Sequence, residues 1–140
     1  MNHTEKGWVC LYAVWNERAI QGYFSNAKRE ELNPFDDIYS MIMDIKQHLR
    51  EDHFYYQPPV AAVSNDLLIQ FYFDKFYIIE ILYQQHDSWQ GILHGGVKGI
   101  RYFKSILDLI LLLEEDCTYF LQKKKEIKFR KRKSSHLRGL

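Results

Sequence analysis

The sequence predicts an α+β fold: a tandem pseudo-repeat of β-β-(β)-α units forming an antiparallel sheet with two amphipathic helices. Three observations predict it. Trp8-Val9-Cys10-Leu11-Tyr12-Ala13-Val14-Trp15 and Tyr77-Ile78-Ile79-Glu80-Ile81-Leu82-Tyr83-Gln84 are both apolar, aromatic, strand-like runs, offset by 69 residues. At the same offset Ala19-Ile20-Gln21-Gly22-Tyr23-Phe24 falls on Ser88-Trp89-Gln90-Gly91-Ile92-Leu93, which puts a Gln-Gly pair at one point of a second strand in each copy. With one residue dropped, Phe35, Ile38, Ile42, Ile45 and Leu49 fall on Phe103, Ile106, Ile110, Leu113 and Cys117, a 3-4-3-4 spacing that writes one helical face twice.

The elements follow in order. Strands are expected at about 8–15 and 19–25 around an Asn16-Glu17-Arg18 turn, with a short third strand near Leu32 after the polar stretch Asn26 to Glu31. Asn33-Pro34 suits a helix start and Asp36-Asp37 suits the positive end of its dipole, so the first helix is placed at 34–50. Gln57-Pro58-Pro59 and Ser64-Asn65-Asp66 break the chain between copies, although Phe54, Tyr55 and Tyr56 suggest a joint that packs. Strands at 68–73 and 76–83 around Asp74-Lys75, then 88–94 and 97–102 around Gly95-Gly96, precede a second helix at 103–122. Residues 1–50 thus form the first unit, 51–66 the joint, 67–122 the second unit and 123–140 a basic C-terminal extension, in one compact body.

The second helix is apolar beyond one stripe, since Leu107, Leu109, Leu111 and Leu112 supplement Ile106, Ile110 and Leu113. It needs cover. The other copy supplies it in a monomer with a pseudo-twofold body, and a homodimer would serve the same need. A chain of 140 residues that is 46% hydrophobic and 16% aromatic can build a real core. No run reaches the length of a membrane-spanning helix, and Met-Asn-His-Thr-Glu-Lys lacks the regions of a signal peptide, so a cytoplasmic location is expected. Cys10 and Cys117 occupy apolar positions and read as buried small hydrophobes, not as a disulfide.

The run from Tyr77 through Tyr83, then Ser88-Trp89-Gln90-Gly91-Ile92, then Phe103-Lys104-Ser105 and Leu107-Asp108-Leu109-Ile110, resembles a group of short uncharacterised proteins of Gram-positive anaerobes. Those proteins show a strand, a Ser-Trp-Gln-Gly-like turn into a second strand, and an aromatic-basic-Ser start to an apolar helix. The likeness covers about residues 76–115. The N-terminal copy departs from it, with Ala19-Ile20 in place of Ser-Trp and Phe35-Asp36-Asp37 in place of the basic helix start. The group has no established activity, so the resemblance implies a bacterial structural unit and brings no catalytic residue with it.

Little in the chain suggests chemistry. His3, His48, His53, His86, His94 and His136 form no zinc-ligand spacing, and Asp36-Asp37 and Glu114-Glu115-Asp116 read as solvated helix-end charges. There is no Gly-rich phosphate loop and no Ser-centred elbow, and apolar neighbours would raise the Cys10 pKa. An enzyme is not expected, nor a cofactor or metal. Trp89, Gln90 and Gly91 are the candidate partner contact, because a strand Gly admits close approach and Trp can anchor in a partner's pocket. The competing reading, which the residue types favour, makes Gly91 a bulge or twist and Trp89 the filler of the missing volume.

Charge supplies the remaining signal. The net charge of +1 divides into an acidic body, where residues 1–122 hold 10 bases and 17 acids, and an extension with nine bases and one acid. Lys123, Lys124, Lys125, Lys128, Arg130, Lys131, Arg132 and Lys133 are the candidate contacts to nucleic acid or another anionic partner. The extension either continues the helix or leaves it as an arm, and it either binds an anion or only solubilises. The expected function is a non-enzymatic protein-interaction or regulatory module docking on a protein or ribonucleoprotein, of the size of a small phage or mobile-element inhibitor. The alternative is nucleic-acid binding through the basic tail, against which the acidic body counts. An exposed uncharged aromatic patch would favour the first. Body cations such as Lys28, Arg29, Lys98, Arg101 and Lys104 aligned with the tail would favour the second.

Overall fold

A computed structural model describes residues 7–26, 31–50, 73–85 and 87–138, with side chains as far as residue 130. The chain runs β1 (Gly7–Trp15), β2 (Ile20–Asn26), β3 (Asn33–Phe35), α1 (Ile38–Arg50), then β4 (Lys75–Gln85), β5 (Ser88–Gly96), β6 (Gly99–Phe103) and α2 (Ile106–Arg138). The fold is α+β. Its six strands form one antiparallel sheet in the order β3-β2-β1-β4-β5-β6, so β1 and β4 lie side by side at the centre and β3 and β6 at the edges. The joint 51–66 and residues 68–72 of the expected strand lie outside the described residues.

Alternation decides which side chains meet the helices. Val9, Leu11, Ala13 and Trp15 of β1 share one core with Tyr77, Ile79 and Ile81 of β4, Leu93 of β5 and Phe103 of β6. Ile38, Met41, Ile42 and Ile45 of α1 enter the same core, as do Leu109, Ile110, Leu113 and Cys117 of α2. Both helices therefore pack on one face of the sheet. The opposite face carries the intervening residues, among them the cross-strand row Trp8, Glu80, Ile92 and Tyr102. Cys10 and Cys117 are both buried and are not joined in a disulfide.

Local hydrogen bonds explain the turns and helix starts. Asn16 Oδ1 accepts from the backbone N–H of Arg18 (2.9 Å) and Ala19 (2.8 Å), closing the β1–β2 turn. The first helix begins at Ile38, not at residue 34 as expected from the Pro signal. Asn33-Pro34-Phe35 instead forms edge strand β3, where a missing N–H is tolerated. Asp37 is the cap, its Oδ1 accepting from Ser40 N–H at 2.8 Å. These bonds hold its carboxyl below the usual Asp range. In α2 the cap is Ser105, whose Oγ accepts from Asp108 N–H at 3.1 Å, while Asp108 Oδ2 accepts from Lys104 N–H at 3.0 Å.

Two further expectations change. The second helix does not stop at residue 122 but continues through the basic extension to Arg138, 33 residues in all. Glu114, Glu115 and Asp116 are accordingly mid-helix, and Asp116 is buried, not a solvated end charge.

Candidate interaction site

The Ser88-Trp89-Gln90-Gly91 segment lies in β5, but its tryptophan is a core residue. Trp89 is 2% exposed, and of the three candidate contacts only Gln90 presents a side chain to solvent. Gly91 is small because its surroundings are full. A Cβ there would sit 1.9 Å from the Glu80 carbonyl oxygen and 2.8 Å from Cζ of Phe103, its partner residue in β6. Gly22 stands in the same relation to the first half of the chain, opposite Phe35, with a Cβ position 1.9 Å from the Tyr12 carbonyl oxygen. At Gly91 the Phe103 ring covers the position where the sheet lacks a side chain. β4 shifts register between Ile81 and Tyr83, opposite Gly91. The structure therefore corrects Trp89 as an anchor for a partner and gives Trp89 and Gly91 packing roles.

An exposed apolar pair lies one strand further out. Ile100 is 62% and Tyr102 72% exposed, on the helix-free side of β6. Arg101 and Phe103 alternate with them toward the helices. Among the described residues β6 has a strand neighbour only in β5, and no described strand pairs with its outer backbone edge. Gly95 (φ 95°) and Gly99 (φ 85°) turn the chain between β5 and β6, and Val97 in that turn is also exposed. The sequence suggested a strand here, but its edge position depends on sheet order.

Beneath this hairpin is a cleft of 490 Å³ whose lining includes Leu93, Val97, Lys98, Arg101, Asp116 and Tyr119. Asp116 organises it. The Tyr77 hydroxyl donates to Asp116 Oδ2, and Val97 N–H donates to Oδ1 at 2.7 Å. One carboxylate thus ties α2, the core of β4 and the β5–β6 turn together. Burial, reinforced by the Asp116 carboxylate, pushes the Tyr77 phenol well above its ordinary pKa. The Lys98 ammonium bonded to Glu115 holds that carboxyl below the usual Glu range, on an exposed pair. In a second cleft, between the β1–β2 turn, the start of α1 and α2, burial raises the Cys117 thiol.

On the helix-free face His94 Nε2 lies 3.0 Å from the Glu80 carboxylate and its ring stacks on Trp8. No group of three or more His, Cys, Asp or Glu is placed to hold a metal ion among the described residues. No helix among them is long and apolar enough to cross a membrane.

The basic extension divides in two. Lys123 pairs with Glu126 (3.8 Å), Lys124 with Asp74 (3.2 Å) and Lys125 with Glu17 (3.4 Å), so the first turn is held against the body. Lys128 and Arg130 are exposed further along, and Lys131, Arg132 and Lys133 continue the helix. The structure does not bring Gln90 and the tail together. Ile106 N–H donates to Ser88 Oγ, so α2 starts beside β5. Lys128 comes 22 residues later, about 33 Å along the axis. Lys28 and Arg29 lie outside the described residues. The chain matches no family model, no curated protein and no solved structure.

Proposed function

We propose that the protein is a non-enzymatic docking module that holds an extended segment of a protein, or of the protein part of a ribonucleoprotein, along the outer edge of β6. The observation that carries this is the exposed Ile100 and Tyr102 pair beside an open strand edge. Main-chain hydrogen bonds to such an edge supply affinity, and side chains at alternate positions supply selectivity. The segment that fits has apolar residues beside Ile100 and Tyr102 and acidic ones toward Arg101 and Lys104. A catalytic role finds less support, because the Asp116 carboxylate already accepts from Tyr77 and Val97.

We read the body as two β-β-(β)-α units related by duplication. The order β3-β2-β1-β4-β5-β6 and the matching Gly22–Phe35 and Gly91–Phe103 pairs support that reading. Under it β6 is the counterpart of β3, whose Pro34 has no N–H to offer a partner, which leaves β6 the better edge for docking.

A photo-crosslinking phenylalanine analogue at Ile100 in the full chain tests the docking reading. The expected product is one discrete adduct to an alternating apolar-acidic segment, lost on Tyr102→Lys. An adduct between two copies of this chain, or a pattern matching a probe at exposed Glu31, would refute it.

A further inference from the structure

We infer that the outer face of α2 between Lys104 and Glu114 is a docking surface for a second copy of this chain, which crosses it antiparallel about a twofold axis at the level of residue 109. The surface lies on the helix side of the sheet, away from Ile100 and Tyr102, and does not depend on the β6 edge.

Rotation about the helix decides what this face shows. With about 100° between successive residues, positions 107, 111, 114 and 118 fall within an arc of about 60°. All four are exposed, whereas Leu109, Ile110, Leu113 and Cys117 on the other side enter the core. Leu107 is 64% and Leu111 53% exposed, one turn apart. The side of α2 where polar residues are the rule thus carries a leucine pair.

The neighbouring helix widens the patch. Tyr39 lines the same cleft as Glu114 and Leu121, while Lys46 reaches Asp87 (3.2 Å), next to the Ser88 that meets the start of α2. α1 therefore runs beside α2 in the opposite direction. Its Tyr39 and Met43, also one turn apart, are both exposed.

The order of charges names the occupant. Lys104 stands just before α2, its backbone N–H tied to Asp108 Oδ2, and Glu114 follows Leu111 by three residues. The face therefore reads Lys104, Leu107, Leu111, Glu114 at spacings of three, four and three, symmetric about position 109 and opposite in charge at its two ends. Both end side chains are exposed, and neither makes an ion pair among the described residues; it is the adjacent Glu115 that Lys98 takes. A surface of this order is its own complement. An antiparallel second copy sets Leu107 against the partner's Leu111 and Lys104 against the partner's Glu114, and symmetry makes each contact twice. A parallel copy would bring lysine to lysine and glutamate to glutamate. Rows of side chains three and four residues apart pack helices at a shallow crossing angle, which suits the antiparallel contact. An unrelated partner would need no such symmetry. Four part-exposed apolar side chains per copy fall below the roughly 800 Å² per partner of a standard interface, so the dimer is a weak one, populated at high protein concentration.

The test is sedimentation equilibrium of the full chain from micromolar to millimolar concentration. A monomer–dimer equilibrium is expected, abolished by Leu111→Lys. Lys104 is common to both proposed surfaces, so Tyr102→Lys, which disables the β6 edge, tells them apart: it should leave the dimer unchanged. Lys104→Glu alone and Glu114→Lys alone should each weaken self-association by about tenfold or more, because both symmetric contacts turn repulsive. An equimolar mixture of these two variants should associate with native strength, since each then meets the opposite charge at both contacts. The double variant Lys104→Glu/Glu114→Lys should do so by itself. Far-UV circular dichroism of each variant checks that it is folded, so recovery reports the pairing and not stability. A chain that stays monomeric throughout overturns the inference. So does a dimer that survives Leu111→Lys, one that is lost in Tyr102→Lys, charge swaps that change nothing, or a mixture that fails to recover what its components lost.

Discussion

Removing the Asp116 carboxylate should damage the fold in a way that depends on Tyr77. In the native protein Asp116 accepts from a hydroxyl whose residue is fully buried and from the Val97 N–H, in a turn where Val97 is 39% exposed. Asp116→Ala leaves the Tyr77 hydroxyl with no acceptor in the core, a desolvation cost of about 1–3 kcal/mol. Water can reach the Val97 turn, so its N–H adds about 0.5–1 kcal/mol, for a total of about 1.5–4 kcal/mol. Tyr77→Phe removes only the donor and leaves Asp116 bonded to Val97 at the cleft wall, which should cost about 1–2 kcal/mol. With Phe already at position 77, Asp116→Ala strands no hydroxyl and should cost about 1 kcal/mol. Urea unfolding of the four proteins, followed by far-UV circular dichroism with the m-value checked for each, gives the coupling directly. A coupling of about 1–3 kcal/mol, the share of the stranded hydroxyl, is expected. If Asp116→Ala costs the same with Tyr or Phe at 77, the buried bond does not hold α2 to β4 and the reasoning fails.

Two other outcomes follow from the same structure. Because folding raises the Tyr77 pKa, the folded protein keeps a proton that the unfolded chain releases above about pH 10; stability should fall with pH there, by up to about 1.4 kcal/mol per unit. Urea midpoints taken from pH 9 to 11 should show this loss in the native sequence and a shallower one in Tyr77→Phe. Gly91→Ala should destabilise by about 3 kcal/mol, since a Cβ 1.9 Å from a backbone oxygen forces β4 and β5 apart. Gly99→Ala meets nothing within 4 Å and carries only the strain of φ 85°, about 1 kcal/mol. Thermal melts of the two variants that shifted equally would contradict this contrast.

Apolar periodicity made the strands, the helical faces and the α+β class legible, because the residues that must leave water recur every two or every three to four positions. What it missed was competition between local signals. Asn33-Pro34 carries a helix-start signature, yet Phe35 pairs across from Gly22 and Asp37 offers the better cap, so the strand takes those residues. The acidic triplet could not be resolved either. Glu114, Glu115 and Asp116 are chemically alike in sequence, and only the helix rotation turns Asp116 toward Tyr77.

The candidate surfaces were legible in unequal measure for a related reason. Trp89 drew attention because it is large and stands beside a glycine, but Gly91 is crowded by Phe103 and the Glu80 backbone, and Trp89 completes the same core. Ile100 and Tyr102 look like ordinary strand residues in the sequence and stand out as an exposed edge pair only once the sheet order ends at β6. The tail was visible at once as charge, whereas its division was not. Lys124 and Lys125 find carboxylates of the body, on Asp74 and Glu17, and so anchor the helix. The cations after Glu126 stand on the same continuous helix, so the charge boundary that the sequence shows falls inside α2 and not at its end.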